Sequence, residues 1–383
     1  MSRRWNILAW SILGTVFIGM SVYLILNPTR TGVVPNYRFA ASHWWTSQSM
    51  YPGGTHGFLY APTFAVLFSP IHWVRPEILG EILWRAFGFG LFALALRSLS
   101  ACSLQAAAPL SAFRFSNCDF LLLVLLSVPA SLASLSNGQT NLPLSACLML
   151  AALALREEKW KWAALFLNLG LVFKPIAFAP WLLAFEIFRK TKRALGTGFI
   201  AVVLFGLIHP NPAYAWGQLL EFLHKLLVSY TPENLRVSDL FGMLEKAGIP
   251  SLLKVNMVTR GLACLGAFVF VHWTFFRKGR IEGAWALWLA SVLIFTVFNP
   301  RAETNSYVLI SPLLAFAAVS YWREVEGGKW KGWILAAACL GLMCDGMGLW
   351  IYKATDVWFK PLIVILVSPL LFRVPEAWKA EAR

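Results

Sequence analysis

Long apolar stretches, separated by short polar ones, run along nearly the whole chain of 383 residues. Polar and apolar positions do not alternate within them, so the pattern is not that of strands in a membrane barrel. Helices remain the way for a backbone to cross lipid with its hydrogen bonds satisfied. With about 20 residues needed per crossing, the pattern predicts an all-α integral membrane protein with about twelve transmembrane helices. The predicted spans are residues 5–26, 60–74, 79–98, 119–135, 141–155, 162–188, 194–210, 256–276, 282–298, 306–321, 332–350 and 355–373.

The predicted span 162–188 contains Lys174 and Pro175 near its middle. Proline lacks a backbone N–H and breaks a helix, so two courses of the chain are possible. One continuous span is favoured, because two helices of about a dozen residues would each be too short to cross. Residues 137–140 then face inward. In the alternative, the chain turns back at Lys174 and Pro175 on the outer side, and the mixed charges of residues 156–161 do not decide between the two.

Composition excludes the usual soluble classes of protein. Hydrophobic residues make up 58% of the chain and charged residues 13%, against roughly 25% charged residues in soluble domains. The mean hydropathy is +0.63. A soluble enzyme, a disordered chain, a coiled coil and a disulfide-stapled domain are therefore excluded. The net charge of +15 does not indicate nucleic-acid binding, because the positive residues form short clusters beside apolar stretches, as in cytoplasmic loops.

The basic clusters predict the orientation of the chain. Clusters at 189–193, 277–280 and 322–331 should all be cytoplasmic, and two predicted spans separate each cluster from the next. The polar segment 299–303 then lies outside. We interpret residues 1–383 as a single polytopic membrane domain with two structured outer loops, 27–59 and 211–255. The first loop contains a possible short helix over 37–50.

The second outer loop contains an amphipathic stretch. One helical face carries Leu219, Leu220, Leu223, Leu226 and Leu227, and the opposite face carries Gln218, Glu221 and Lys225. This arrangement is typical of a helix that lies in the outer membrane interface. Packing of the leucine face on the protein's own spans is an equally good alternative.

Ionisable groups within or beside spans are candidates for function. Lys174 lies deep in an apolar stretch beside a helix break and could hold a phosphate as a point charge; an ammonium that reaches the interface is the alternative. Arg301 and Glu303 share a dense polar segment, where an arginine could bind an anion and a carboxylate could act as a base, or the two could pair in a turn. His209 is at the outer end of a span, and Asp345 within 332–350 has no evident role.

Several enzyme motifs do not occur in the sequence. It contains no phosphate loop of the Gly-x-x-x-x-Gly-Lys-Ser/Thr type, no His-Glu-x-x-His and no Gly-x-Ser-x-Gly, which are signatures of other enzyme classes. It also contains no Asp-x-Asp pair, and the six cysteines lack metal-site spacing. The sequence therefore predicts neither a metal nor another cofactor.

Five polar stretches, in this order, resemble those of glycosyltransferase family 87, a family of polyprenyl-phosphate-mannose-dependent α-mannosyltransferases with the GT-C fold. The stretches are 36–41 with 49–51, 58–63 continuing to 68–70, 137–141, 173–175 and 299–303. The similarity extends over about residues 5–320. The resemblance implies a GT-C-like helical bundle in the inner (plasma) membrane, with an active site that faces outward.

The resemblance also implies an inverting transfer of a hexose, mannose first among them, from a polyprenyl-phosphate-linked donor to a lipid or glycan acceptor. The implied roles divide among nine positions. Lys174, Arg301 and Gln139 would bind the donor phosphate; Tyr37, Tyr51, Tyr60 and His209 would contact the sugar or the acceptor; and Glu303 and Asn36 stand at catalytic positions.

Asn36 departs from the family pattern, because an aspartate that serves as the base is expected at its position. Loop 27–59 contains no acidic residue, and an asparagine does not take up a proton at neutral pH. Glu303 is the preferred replacement base. Other candidates are Asp239, Glu233, His43, His56 and His209. A lipid or solute transporter, or a non-catalytic protein of the same fold, is the alternative function that the missing aspartate allows.

Overall fold

The computed structural model describes residues 3–30, 32–105, 118–229, 237–249, 253–324, 328–344, 347, 349–355 and 357–379. Over this part of the chain the regular elements are helices, and no strand occurs. The α-helices are α1 Arg3–Leu26, α2 Val34–Trp45, α3 Pro62–Trp73, α4 Glu77–Gln105, α5 Asp119–Asn137, α6 Asn141–Arg156, α7 Trp160–Phe173, α8 Phe178–Ile187, α9 Lys192–Phe205, α10 Pro212–Val228, α11 Leu240–Lys246, α12 Leu253–Lys278, α13 Arg280–Leu293, α14 Ser311–Arg323, α15 Lys329–Gly341, α16 Leu349–Thr355, α17 Phe359–Val367 and α18 Glu376–Lys379. Shorter 3-10 or π turns cover Pro175–Ala177, Arg189–Thr191, Ile294–Phe298, Thr304–Leu309 and Ser368–Leu371.

Five helices in the described residues are long and apolar enough to cross a membrane. They are Arg3–Leu26, Glu77–Ala101, Asp119–Asn137, Val255–Lys278 and Arg280–Phe298. Shorter apolar helices cover Asn141–Arg156, Trp160–Phe173, Pro175–Ile187 and Phe359–Leu371. The chain is therefore an all-helical, multi-pass membrane protein, whereas the count of about twelve spans stays a prediction.

The continuous span predicted over 162–188 is wrong, because the chain turns back at Lys174. The backbone of Lys174 is extended, with φ −156° and ψ 129°, and Pro175 begins a 3-10 turn. The two helices then pair: the Trp181 indole donates to Asn168 Oδ1 at 3.1 Å. At 14 and 10 residues, α7 and α8 are only about 21 and 15 Å long. Their irregular junction is tolerated because it lines a polar cavity of the protein and not lipid.

The helices run between two chemically different ends of the bundle, and the basic clusters gather at one of them, which we call the basic end. There the Arg280 guanidinium is 2.8 Å from a Glu158 carboxylate oxygen, and Arg323 pairs with Asp119 at the start of α5. The opposite end contains residues 137–140 and Lys174. Residues 137–140 therefore lie at the end opposite the clusters predicted to be cytoplasmic, whereas one continuous span through Lys174 would have put them at the same end.

The α5–α6 turn at this opposite end is held rigidly. Gly138 has φ +63°, a conformation that glycine adopts readily. Its carbonyl accepts a hydrogen bond from the Trp84 indole at 2.8 Å, and the Arg85 guanidinium donates to the carbonyls of Leu135 and Ser136 at 3.0 Å each. These bonds satisfy carbonyls at the end of α5 that lack intrahelical partners. The turn thereby fixes where the next residue, Gln139, points.

We expect Gly138→Ala to lower the free energy of unfolding by about 2 kcal/mol or more, because alanine is strained at positive φ. The added Cβ would also lie 2.5 Å from Cγ2 of Val34. Thermal unfolding in detergent measures the loss. Gly90→Ala in α4 is the matched control: its Cβ would meet open space, and alanine favours a helix. Equal stability of the two variants would contradict this account of the turn.

The predicted outer-loop helices occur with shifted bounds. The short helix expected over 37–50 is α2, Val34–Trp45, and the amphipathic stretch forms α10. The polar face of α10 packs on the first loop: Lys225 Nζ donates to the carbonyls of Pro52 and Gly54 at 2.8 Å each, and Gln218 Oε1 accepts from the Met50 N–H at 2.8 Å. On the leucine face, Leu220, Leu223 and Leu227 are 50%, 51% and 77% accessible, whereas Leu219 and Leu226 pack against the hydrophobic core. Both alternatives for the leucine face, the outer membrane interface and packing on the protein's own spans, therefore stay predictions.

Candidate functional site

A cavity of about 410 Å³ lies at the end of the bundle opposite the basic end. Polar connections between helices form most of its wall. The lining comes from the start of α2 and the residue before it, the loop before α3, the α5–α6 turn, the α7–α8 junction, the end of α10 and the segment after α13. We call this the polar cavity. Segments far apart in sequence therefore converge here, as expected for a binding site in a helical membrane protein.

Seven of the nine predicted site residues line the polar cavity: Asn36, Tyr37, Tyr60, Gln139, Lys174, Arg301 and Glu303. Tyr51 and His209 are not among the residues that line it, so their predicted contact with sugar or acceptor stays a prediction. The Tyr51 hydroxyl donates to the Tyr60 carbonyl at 2.7 Å, so it supports a lining residue from behind. His209 Nε2 is 2.9 Å from the Trp44 carbonyl oxygen, where it joins α2 to the segment before α10.

Lys174 is anchored at the floor of the polar cavity by a side-chain amide. Its ammonium donates to Asn141 Oδ1 at 2.6 Å. Asn141 Nδ2 in turn donates to Gln139 Oε1 at 2.6 Å and to Asn305 Oδ1 at 3.1 Å. Asn141 is fully buried, so this arrangement has little freedom. The bonds fix the positive charge of Lys174 against the α5–α6 turn.

Glu303 completes the same network from the segment after α13. Its Oε2 accepts one hydrogen bond from Gln139 Nε2 and one from Asn305 Nδ2, both at 2.9 Å. The side chain also accepts from the Ser306 backbone N–H in a capping box at the start of the following 3-10 turn, which satisfies free donors there. A chain of side chains therefore joins Lys174 to Glu303 through Asn141 and Gln139.

The sequence analysis did not select Asn141 or Asn305 as site residues. Asn141 lies in a polar stretch that it singled out and Asn305 lies two residues beyond another, but neutral amides in turns are common and carry no charge that would mark them. Only the structure reveals that Asn305 forms hydrogen bonds with both Asn141 and Glu303. The available signal was position: each asparagine lies near the start of a helix or 3-10 turn, two residues after a predicted site residue.

Arg301 holds the outer wall of the polar cavity together. Its Nη1 donates to the Ser229 carbonyl at 2.7 Å and to the Thr55 carbonyl at 3.1 Å. It thus joins the residue after α10 to the glycine-rich loop 52–57. Burial lowers the pKa of the Arg301 guanidinium below its usual value, although the nearby Glu303 carboxylate opposes this effect. Arginine nevertheless remains protonated in proteins. Arg301 is therefore a second fixed cation beside the cavity.

Two tyrosines form a hydroxyl cluster on the adjoining wall. The Tyr37 and Tyr60 hydroxyl oxygens are 3.0 Å apart, and the Tyr60 hydroxyl is 3.3 Å from Thr140 Oγ1. The rings of Tyr37 and Tyr60 pack edge to face, with centroids 5.3 Å apart. Burial raises the pKa of Tyr37 well above its usual value, so its hydroxyl stays protonated. These groups can form hydrogen bonds to a polar ligand but cannot serve as a base at neutral pH.

Among the candidate replacement bases, only Glu303 and His56 are described residues that line the polar cavity. Asp239 caps α11 and pairs with Arg260 at 2.6 Å, and burial raises its pKa. The His43 Nδ1 is 2.8 Å from the Ser49 carbonyl oxygen, away from the cavity. Glu233 lies outside the described residues, as does Asp345.

The polar cavity combines cations with a fixed carboxylate. In the described residues no group of three histidine, cysteine, aspartate or glutamate side chains could hold a metal ion. Lys174 and Arg301 supply positive charge beside the cavity. Cations held by fixed hydrogen bonds stabilise charge that develops on a leaving group. A carboxylate positioned in the same cavity can accept a proton. The arrangement suits transfer of a group away from a phosphate.

The sequence profile of glycosyltransferase family 87 matches residues 58–300, which is more than half of the chain. The matched range includes Tyr60, Gln139 and Lys174. Asn36 precedes it, and Arg301 follows its last residue. No curated protein and no solved structure matches the chain.

Proposed function

This chain belongs to glycosyltransferase family 87, as its motifs predict, and we propose that it transfers a hexose from a polyprenyl-phosphate-linked donor to a lipid or glycan acceptor. Mannose is the first candidate for the sugar. The observation that carries the proposal is the convergence of Lys174, Arg301 and Glu303 on one cavity of a multi-pass membrane protein. A sugar attached through a lipid phosphate needs cations for its leaving group and a base for its acceptor.

We propose that Lys174 and Arg301 bind the donor phosphate, with Gln139 as an additional hydrogen-bonding group. Lys174 supplies a compact positive charge, held in place by its 2.6 Å bond to Asn141. Two nitrogens of Arg301, Nε and Nη2, remain for an anion once Nη1 has bonded the two carbonyls of the cavity wall. Stabilisation of the departing lipid phosphate by these cations would lower the barrier to transfer.

We propose Glu303 as the general base. In the transfer step the acceptor hydroxyl oxygen attacks the anomeric carbon, and the bond from that carbon to the phosphate oxygen breaks with its electron pair. The lipid phosphate leaves as the anion, and Glu303 takes the hydroxyl proton. One displacement of this kind inverts the anomeric configuration. Glu303 is suited to this role because the two 2.9 Å bonds from Gln139 and Asn305 fix its carboxylate in position.

We propose that Tyr37 and Tyr60 contact the sugar or the acceptor through their hydroxyls. Both line the polar cavity, and Tyr60 is itself held from behind by Tyr51. Sugars present hydroxyl groups that both donate and accept hydrogen bonds, and a phenol does the same. Asn36 also lines the cavity and would bind a hydroxyl group by its amide without removing the proton.

The proposed location is the inner (plasma) membrane, with the cavity facing outward. The support is the separation of charge in the fold: the clusters that include Arg189, Arg280 and Arg323 are all at the basic end, and the polar cavity is at the opposite end. Basic loops stay in the cytoplasm, so the cavity would open on the outer side. Polyprenyl chains lie in the membrane, which suits a donor site at one end of a bundle of membrane helices.

One observation favours a second function, in which the protein binds a lipid-linked sugar without transferring it. Asn36 occupies the position where a catalytic aspartate is expected, and loop 27–59 contains no acidic residue. A binding protein or transporter would need no base at that position. This alternative keeps the donor site and removes the chemistry.

Reconstitution into liposomes tests the proposal. The protein receives polyprenyl-phosphate-mannose labelled in the sugar, together with a lipid and glycan extract as acceptor, and polyprenyl-phosphate-glucose is compared with it. We expect label in a new product and stoichiometric release of polyprenyl phosphate. Thermal stabilisation by the donor without any transfer would support the non-catalytic alternative. If the donor neither stabilises the protein nor transfers its sugar, the donor assignment is contradicted.

A further inference from the structure

A second cavity, of about 430 Å³, lies at the basic end of the bundle. Glu158 comes from the turn before α7, Trp160 begins α7, and residues 187–190 are the last residue of α8 and the three that follow it. The junction of α12 with α13 contributes the rest. We call it the basic-end cavity. It is separated from the polar cavity by the length of α7, because Trp160 begins that helix and Lys174 follows its last residue. The proposed transfer reaction does not use it.

The lining of the basic-end cavity is part apolar and part cationic. Its apolar surface comes from Trp160, Ile187, Phe188, Phe275 and Phe276, and its charged groups are Arg189, Lys190, Arg280 and Glu158. The rings of Phe188 and Phe275 pack edge to face with centroids 5.0 Å apart, which joins α8 to α12. Three cations and one carboxylate leave two positive charges in excess.

Arg189 and Lys190 carry that excess. Glu158 lies 2.8 Å from Arg280 and thereby compensates the Arg280 charge. In the part of the chain that the structure describes, no carboxylate is within ion-pair distance of Arg189 or Lys190. The Lys190 ammonium instead lies 5.5 Å from the centre of the Trp160 ring. Two uncompensated cations beside an apolar wall are suited to a ligand that has both an anionic and an apolar part.

The apolar wall of the basic-end cavity continues onto the outside of the bundle. Phe276 lines the cavity and is 60% exposed, and Trp273, one turn earlier on α12, is 50% exposed. Helix α12 is among the candidate membrane spans, and only 11% of its most apolar window is buried in the protein. This helix therefore presents most of its surface to lipid, and the cavity opens where that surface meets the basic cluster.

We propose that the basic-end cavity binds an anionic phospholipid of the inner leaflet. The headgroup phosphate would lie between Arg189 and Lys190, and an acyl chain would follow Phe275 and Phe276 onto the surface of α12. Basic pockets between membrane helices on the cytoplasmic side bind anionic headgroups. A soluble anion would leave the aromatic wall unused, and a zwitterionic lipid would leave the two positive charges uncompensated.

Native mass spectrometry of the full-length, delipidated protein in neutral detergent tests this proposal. Phosphatidylglycerol is the probe, phosphatidylcholine is the zwitterionic comparison and inorganic phosphate is the soluble anion. We expect one tightly bound phosphatidylglycerol per protein. Phosphatidylcholine should bind at least tenfold more weakly, and inorganic phosphate should not bind detectably. The double variant Arg189→Gln with Lys190→Gln should weaken phosphatidylglycerol binding about 30-fold, since each cation near a headgroup contributes to lipid affinity.

A second double variant, Arg193→Gln with Arg277→Gln, is the matched control. It removes the same charge from exposed side chains of the same basic end that do not line the cavity. We expect it to bind phosphatidylglycerol as the unmodified protein does. Equal losses in both double variants would overturn the site in favour of general surface attraction. Unchanged binding in the first variant, or equal binding of the two phospholipids or of phosphate, would also overturn it.

Discussion

Replacing Glu303 by glutamine is expected to slow transfer by about 10²- to 10⁴-fold, which is the usual contribution of a positioned general base. Glutamine has nearly the same shape and keeps one oxygen that can accept from Gln139 or Asn305. It cannot take the proton of the acceptor hydroxyl. Donor binding should therefore persist while chemistry is lost. Initial rates of label transfer in liposomes measure the first effect, and thermal stabilisation by the donor measures the second.

Two further variants distinguish a base from a structural residue. Glu245→Gln alters an exposed glutamate of α11 outside the polar cavity and should leave the rate unchanged. His56→Gln alters the other candidate base in the cavity and should change the rate by only a few-fold. Full activity of Glu303→Gln would refute its role as the base. A large loss in His56→Gln, with activity retained in Glu303→Gln, would assign the role to His56.

The sequence predicts the helices of this fold well, because a long apolar stretch in a membrane protein leaves the backbone few alternatives. The failure at Lys174 has a specific cause. The length rule assumes that each helix must cross the lipid by itself, whereas the junction between the end of α7 and the start of α8 lines a polar cavity of the protein. Pro175 was the correct signal, since it prevents a continuous helix, and the length argument overrode it.

The residues of the candidate site were likewise predictable only in part. That Lys174 and Glu303 line the cavity was predictable because ionisable groups next to membrane spans are rare and costly unless they have partners, whereas Gln139 was predicted only from the family resemblance. The positions of Tyr51 and His209 were not predictable, because loop folding decides whether an outer residue faces the cavity or the loop behind it. Hydropathy also identified both faces of α10, but it could not tell which face contacts protein. The bonds from Lys225 to Pro52 and Gly54 show that the polar face does.

Lys174→Met should weaken binding of the donor phosphate by about 30-fold or more. Truncating one partner of a buried charge interaction costs about 2–5 kcal/mol, and 1.4 kcal/mol corresponds to a factor of ten. Methionine keeps the volume of the lysine stem and removes the ammonium that bonds Asn141. At a donor concentration 100 times the unmodified protein's Kd, stabilisation of about 2.7 kcal/mol should fall to about 0.9 kcal/mol. Thermal unfolding with polyprenyl-phosphate-mannose measures this loss.

The lipid controls separate a phosphate site from a general effect on lipid binding. Polyprenyl phosphate without sugar should stabilise the unmodified protein and lose most of its effect in Lys174→Met, because the lysine binds the phosphate. Neutral polyprenol should stabilise both proteins equally. Lys246→Met, on the exposed side of α11, removes the same charge away from the polar cavity. Polyprenyl-phosphate-mannose and polyprenyl phosphate should stabilise this variant as much as the unmodified protein. Undiminished stabilisation of Lys174→Met by polyprenyl phosphate would show that the phosphate does not bind to Lys174. Arg301, the other cation proposed for the polar cavity, would then be the candidate.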